Sequence, residues 1–208
     1  MTAEHAGQLT GGLTAELALG TARQGSQAPS MLRVGTIMWL ASELMFFGGL
    51  FASYFTIRAN NLPAWPGPGV KLETVRDAAF TMLLVASSFT MQHAVGRLGN
   101  GERKQAVRSI VVTLVLGGVF LGNQGVEWAT LPFHASTSAY GSLFYIMTGF
   151  HGLHVVFGLV AMLGLLVRIG SGNKEDTGVE TAAEVVTYYW HFVDVVWIAL
   201  FVTLFIIR

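Results

Sequence analysis

Residues 188–207, YYWHFVDVVWIALFVTLFII, form an almost unbroken apolar run that is long enough to cross a lipid bilayer. A helix rises about 1.5 Å per residue, so a run of this length spans the roughly 30 Å hydrocarbon core. His191 and Asp194 interrupt the run three residues apart, which places both side chains on one face of the helix. The stretch therefore predicts a transmembrane helix that carries a polar site.

The composition of the whole chain agrees with a membrane location. Of the 208 residues, 52% are hydrophobic and 12% are charged, and 25 are glycine. The absence of cysteine excludes a disulfide framework, a thiolate-bound zinc or iron–sulfur site and a thioether-attached haem. A net charge of zero gives no support for nucleic-acid binding, which needs a basic surface. These features predict an integral membrane protein.

Five apolar runs have the length that a membrane-spanning helix needs. They cover residues 34–57, 78–95, 109–128, 140–167 and 185–207. Residues 1–33 are polar and glycine-rich, and we interpret them as a loosely ordered tail, not a cleaved leader. We therefore expect an all-α bundle of five transmembrane helices at residues 34–208, behind a polar N-terminal tail.

The distribution of basic residues predicts how the bundle is oriented. Five spans put the chain ends on opposite sides of the membrane. On the side of the N-terminus lie Arg23, Arg33, Arg97, Arg103, Lys104, Arg108, Arg168 and Lys174, against Arg58, Lys71, Arg76 and Arg208 on the other side. Because cytoplasmic loops carry the excess of Lys and Arg, the N-terminus is predicted to be cytoplasmic and the C-terminus to lie outside.

Small residues predict where helices approach each other closely. Gly118 and Gly122 form a small-xxx-small pattern on the third span. Gly48 and Gly49 leave a part of the first span without side chains. We expect these faces to contact a helix of this chain or of a partner.

Polar residues inside the spans are the candidates for function. An acidic side chain near mid-membrane costs about 2.5–3.5 kcal/mol, so such groups normally face protein or water. Glu43 lies deep in the first span and is expected to be neutral there unless a partner compensates it. His151 and His154 lie one turn apart on the fourth span. Glu127 lies at the end of the third span.

Three interpretations fit these polar groups. Two histidines at helical spacing, with carboxylates, can ligate iron, copper or zinc, but the usual bundle motif repeats Glu-x-x-His on two helices and no such repeat is present. Hydrogen bonding between helices, which fixes their packing, is a second interpretation. Proton transfer through the carboxyl and imidazole groups is the third.

Three long motifs also resemble one known family. They are SELMFFGGLFASYF at 42–55, AYGSLFYIMTGFHGLHVVFG at 139–158 and YYWHFVDVVW at 188–197, together with VEWATLPF at 126–133. In this order they resemble subunit III of the haem-copper cytochrome c oxidases, and the resemblance covers residues 34–208. A lone HxxH pattern would not carry such an inference.

The resemblance implies roles for particular residues. Glu43 matches the family's buried glutamate, which is known for its reaction with carbodiimides. Signature positions of the family are matched by His151, Gly152, His154, His191, Phe192, Asp194 and Trp197. The family's subunit III binds no haem or copper, which belong to subunits I and II, so we expect no catalytic residue, metal site or cofactor on this chain. His191 and Asp194 are then expected to join helices.

The resemblance also implies partners and a location. Long members have seven helices, of which the first two leave a lipid-filled cleft, whereas this chain resembles short five-helix bacterial forms, above all those of actinobacteria. Expected partners are oxidase subunits I and II with their haem A and copper, other small oxidase subunits, phospholipid and a menaquinol:cytochrome c reductase in a supercomplex. The expected location is the bacterial plasma membrane.

The function implied by the resemblance is that of an accessory subunit. The complex would reduce O2 to water with electrons from cytochrome c and pump protons, while this chain would stabilise subunit I and support proton uptake. His93 and the loop that begins near Arg97 lie on the predicted cytoplasmic side and are candidates for a proton antenna. A basic loop also satisfies the positive-inside rule without any such role.

Two alternatives differ in sequence. Subunit III of a quinol oxidase also has five helices, but quinol-type relatives tend to carry Asp and Leu where this chain has the glutamate of SELMFF and the valine of WHFVD. An independent transporter or proton channel is the more distant alternative. Secondary transporters commonly show internal repeats and interrupted helices, and the five spans show neither.

Overall fold

Five long helices make up the fold. The computed structural model describes residues 31–62, 64–67, 70, 72–171 and 178–207, and it has no strand within them. The helices are α1 (Met31–Asn60), α2 (Thr74–Gly99), α3 (Arg103–Thr130), α4 (Ala139–Gly170) and α5 (Gly178–Phe201), and α5 runs on into a π-helical end at Val202–Ile207. Each is long and apolar enough to cross a membrane. The predicted all-α fold with five membrane-spanning helices is confirmed.

The helices extend beyond the predicted apolar runs. α1 begins at Met31, inside the stretch that was predicted as tail, and α3 begins at Arg103, before the apolar run. Helical hydrogen bonding continues past the hydrocarbon core because charged side chains at the helix ends reach polar partners, as Arg33 does with Glu184 at the start of α5. Residues 1–30 of the predicted tail lie outside the described residues. The cytoplasmic placement of the N-terminus stays a prediction.

Four helices form the body of the bundle, and α1 lies at its side. α2 packs against α3, α3 against α4, α4 against α5 and α5 against α2, while α1 contacts only α4 and α5 appreciably. Only Phe47 and Tyr54 are buried on α1. Most of the apolar surface of α1 is therefore open to lipid or to a partner.

Two tryptophans of α5 fill the centre of the bundle. Trp190 and Trp197 are almost completely buried. Two glycines on neighbouring helices make space for the Trp190 ring. A Cβ on Gly117 of α3 would lie 2.8 Å from this ring, and a Cβ on Gly158 of α4 would lie 2.7 Å from it.

The glycines that were predicted to mark helix contacts do not do so inside this chain. A Cβ on Gly48, Gly49, Gly118 or Gly122 would meet nothing within 4 Å in the part of the chain that the structure describes. On α3 the glycine that another helix approaches closely is Gly117. Gly118 is the next residue, and it points about 100° away from Gly117 around the helix axis. Of the two alternatives, contact within this chain is not found at Gly118 among the described residues, and contact with a partner stays a prediction.

Side chains of α1 and α4 hold the π-helical end of α5. Tyr54 Oη donates to the carbonyl of Thr203 at 3.1 Å, and Tyr140 Oη donates to that of Leu204 at 2.8 Å. Arg58 donates to the carbonyl of Ile207 at 3.1 Å. These bonds satisfy backbone acceptors at a helix end and attach the end of α5 to α1 and α4.

Candidate functional site

Glu43 and His154 form a polar contact between α1 and α4. His154 Nε2 lies 3.2 Å from Glu43 Oε2, and His154 Nδ1 donates to the carbonyl of Phe150 at 2.7 Å. A neutral imidazole that donates through Nδ1 can only accept at Nε2, so a protonated Glu43 can donate to it, while a charged imidazole would pair with the carboxylate. The Glu43 side chain is 24% exposed. His154 is thus the polar partner of Glu43 within this chain.

Ser88 of α2 joins the two polar residues of α5. Its hydroxyl lies 2.9 Å from His191 Nδ1 and donates to Asp194 Oδ2. The other nitrogen of His191 lies 3.3 Å from Oε1 of Gln92, which is exposed. The result is one hydrogen-bonded chain, Gln92–His191–Ser88–Asp194, that leads from the surface to a buried carboxyl. His191 and Asp194 share a site as predicted, and the site joins two helices.

The contact between α2 and α5 contains two further hydrogen bonds. Trp190 Nε1 donates to Ser87 Oγ at 2.9 Å, and Trp197 Nε1 donates to Thr81 Oγ1 at the same distance. Sequence analysis did not single out Ser87, Ser88 or Thr81. The available signal was a group of hydroxyl residues on a membrane helix, which often hydrogen-bonds to a neighbouring helix.

His151 does not join the pair formed by Glu43 and His154. Its ring is buried and stacks on Trp197 with the centroids 4.8 Å apart. Neither ring nitrogen has a hydrogen-bond partner among the residues that the structure describes. The predicted polar residues therefore belong to separate sites. In the described part of the chain, no three His, Asp or Glu side chains lie close enough together to hold a metal ion.

Glu127 lies near the end of α3 and contacts α2. It is 2% exposed, and its carboxyl interacts directly with that of Asp77, which is also 2% exposed. Asn123 Nδ2 donates to Asp77 Oδ1 at 3.2 Å. Asp77 was missed by sequence analysis, because an acid in the first turn of a predicted span is usually a solvated helix end.

His93 and Arg97 lie beside an open groove near the end of α2. Arg97 Nε donates to His93 Nε2 at 3.1 Å, and the guanidinium of Arg97 pairs with Glu102 at 2.6 Å. The groove is lined by Phe89, Gln92, His93, Gly96, Arg97 and Asn100. Because Gln92 also contacts His191, the groove adjoins the hydrogen-bonded chain that ends at Asp194.

Comparison with known proteins identifies the family. The family model described as cytochrome c oxidase subunit III matches residues 18–207. A probable cytochrome c oxidase subunit 3 of Mycobacterium tuberculosis is 48% identical over 183 residues, which are 86% of this chain and 90% of the relative. The subunit 3 of Corynebacterium diphtheriae is 44% identical over 185 residues, again 86% and 90% of the two chains. That of Thermostichus vulcanus is 35% identical over 179 residues, 86% of this chain and 89% of the relative.

These matches confirm the resemblance, including that to the actinobacterial members. A protein of this family associates with other oxidase subunits, and the five helices make it a multi-pass membrane protein. The chain belongs to the cytochrome c oxidase subunit III family.

Proposed function

We propose that this chain is a non-catalytic subunit of a proton-pumping cytochrome c oxidase, in which it stabilises subunit I and supports proton uptake. The observation that carries the uptake role is the hydrogen-bonded chain Gln92–His191–Ser88–Asp194 beside the groove at His93. Family membership supports the assignment to an oxidase.

The role in stabilising a neighbour is supported by α1. This helix exposes a large apolar surface, and Glu43, deep in the span, is 24% exposed. A carboxyl at that depth is unfavourable against acyl chains, so cover by a neighbouring subunit would lower the free energy of the assembly. The face of α1 around Glu43 is therefore the surface that we assign to the neighbour.

The role in proton uptake is supported by the chemistry of the chain of polar groups. The hydroxyl of Ser88 and the imidazole of His191 can each donate and accept a hydrogen bond, as relay groups must. Asp194, at the inner end, is buried and can hold a proton. On the predicted topology the groove opens to the cytoplasm, from which the pump draws protons.

The partners follow from the same assignment. Haem A and copper are expected in subunits I and II, with small accessory subunits, phospholipid and a menaquinol:cytochrome c reductase around them. A reduced-minus-oxidised spectrum of the complex purified through a C-terminal tag on this chain tests this assignment. Haem A bands support the oxidase, and accompanying b and c bands support the supercomplex. Haem b and o without haem A contradict the proposal, as does a colourless preparation.

The uptake role is tested with Gln92→Leu, which removes the outer polar group of the chain. Gln105→Leu is the matched control, because Gln105 is exposed on α3. We expect Gln92→Leu to slow O2 reduction increasingly as the pH of the cytoplasmic side rises, at unchanged haem content. Equal pH profiles for both variants and the unaltered complex would remove the support for this route.

A further inference from the structure

We propose that Asp77 and Glu127 bind one proton between them, which Glu127 holds and donates to Asp77. The pair joins the beginning of α2 to the end of α3, and it lies outside the proposed uptake route.

The two carboxyls face each other in a buried place. Each residue is 2% exposed, and their side chains interact directly. One oxygen of each, Asp77 Oδ2 and Glu127 Oε1, is buried without a hydrogen-bond donor among the described residues. Asn123, which donates to Asp77, lies one turn before Glu127 and on the same face of α3. Gln124 Nε2 donates to the other oxygen of Glu127 at 3.5 Å. Each carboxyl thus has one satisfied oxygen and one oxygen without a partner.

A single proton resolves this arrangement. Two ionised carboxylates in a buried contact repel each other, and neither can donate a hydrogen bond. When one of them is protonated, its O–H donates to the ionised neighbour in a strong, charge-assisted hydrogen bond. The proton removes the repulsion and satisfies both free oxygens at once.

The partial charges at the two helix ends determine which carboxyl holds the proton. Asp77 lies in the first turn of α2, where the partial positive charge of the helix end favours a carboxylate. It also accepts from Asn123 and lies 3.6 Å from Arg76 Nε. Glu127 lies in the last turn of α3, where the partial negative charge disfavours a carboxylate. The proton therefore belongs to Glu127 and the negative charge to Asp77.

Ionisable neighbours of the pair lie on two helices. Arg76 on α2 is partly exposed, and Glu73, just before that helix, is 72% exposed. On α4 the phenol of Tyr145 interacts with Glu127. The pair thus lies close to an aqueous surface through Arg76 and Glu73. Its proton can exchange with water on that side, which the predicted topology places outside the cell.

A pH-difference infrared spectrum of the purified complex tests the proposal. The change from acidic to alkaline buffer should remove a carboxylic-acid C=O band in the unaltered complex, and Glu127→Gln should lack that component. Asp77→Asn should keep the band but shift its titration to lower pH, because the negative neighbour that opposes ionisation of Glu127 has gone. Glu73→Gln, at the same end of α2 but exposed, is the matched control: it should keep the carboxylic-acid band and change its titration much less than Asp77→Asn does, because Glu73 is 72% exposed.

Thermal stability gives an independent measurement on the same variants. The unaltered complex should lose stability in alkaline buffer as the pair becomes doubly charged, and Glu127→Gln should not, because its amide still donates to Asp77. An infrared band that persists in Glu127→Gln, or a stability that depends on calcium or sodium ions in place of pH, would overturn the proposal. The second result would mean that a cation and not a proton lies between the carboxyls.

Discussion

His154 Nε2 lies 3.2 Å from Glu43 Oε2, and this contact joins α4 to α1 near the middle of both helices. α1 buries only two side chains, so polar contacts contribute much of its attachment to the bundle. Arg33 pairs with Glu184 near one end of α1, and Arg58 donates to the end of α5 near the other. Together with the bond from Tyr54 to the carbonyl of Thr203, these polar contacts along the length of α1 fix the position of a helix that buries few side chains.

Glu43→Gln is expected to leave assembly and haem content nearly unchanged, because the amide donates to His154 Nε2 as a neutral carboxyl does. Glu43→Leu should lower the yield of assembled complex, since His154 then loses its partner. The measurement is haem A per unit of this chain after purification. Loss of assembly with Gln alone would show that the negative charge itself is required.

Ser88→Ala is expected to destabilise the complex, because Asp194 and His191 both lose a partner in a buried place. A buried polar group that loses its hydrogen bond costs about 1–3 kcal/mol, and thermal release of this chain from the complex measures the effect. Ser53→Ala is the matched control, since the Ser53 hydroxyl is exposed and bonds only to the carbonyl of Gly49 in its own helix. Equal release temperatures for the two variants would contradict the bridging role of Ser88.

The same two serines show what the sequence cannot predict. A serine in a membrane helix can donate to a carbonyl of its own helix, as Ser53 does, or to a neighbouring helix, as Ser88 does. Only the position of the neighbour decides between them. The number of helices depends on the length of apolar runs and was predictable, whereas hydrogen bonds between helices depend on rotations that no single span specifies.

His151 and His154 differ for a related reason. Residues three apart share a helix face but point about 60° apart around its axis. In this bundle that difference directs His154 to Glu43 on α1 and His151 to Trp197 on α5. The spacing predicted a common face correctly, but it could not show that the face meets two different helices.

Tyr140→Phe is expected to cost about 1 kcal/mol of stability, because the carbonyl of Leu204 in the π-helical end loses its donor. The exposed Tyr188 provides a matched control as Tyr188→Phe. Hydrogen exchange of the amides at 202–207 measures the effect and should accelerate only in Tyr140→Phe. Unchanged exchange in this variant would mean that the Tyr140 hydrogen bond does not hold the end of α5.

Gly117→Ala should destabilise the bundle, and its neighbour Gly118→Ala should not. A methyl group on Gly117 would lie 2.8 Å from the buried ring of Trp190, and moving a ring packed on all sides costs about 1–3 kcal/mol. A methyl group on Gly118 meets nothing within 4 Å in this chain, and alanine favours the helix by roughly 1 kcal/mol over glycine.

The pair of variants is measured by thermal unfolding of the complex and by its subunit content. Unfolding at a lower temperature for Gly117→Ala alone agrees with the packing around Trp190, and equal unfolding temperatures would contradict it. Loss of a partner subunit from Gly118→Ala, with the fold of this chain intact, would instead show that the predicted small-residue face of α3 contacts another subunit. The two substitutions differ by one methyl position on one helix, so any difference between them reports the direction of that methyl group.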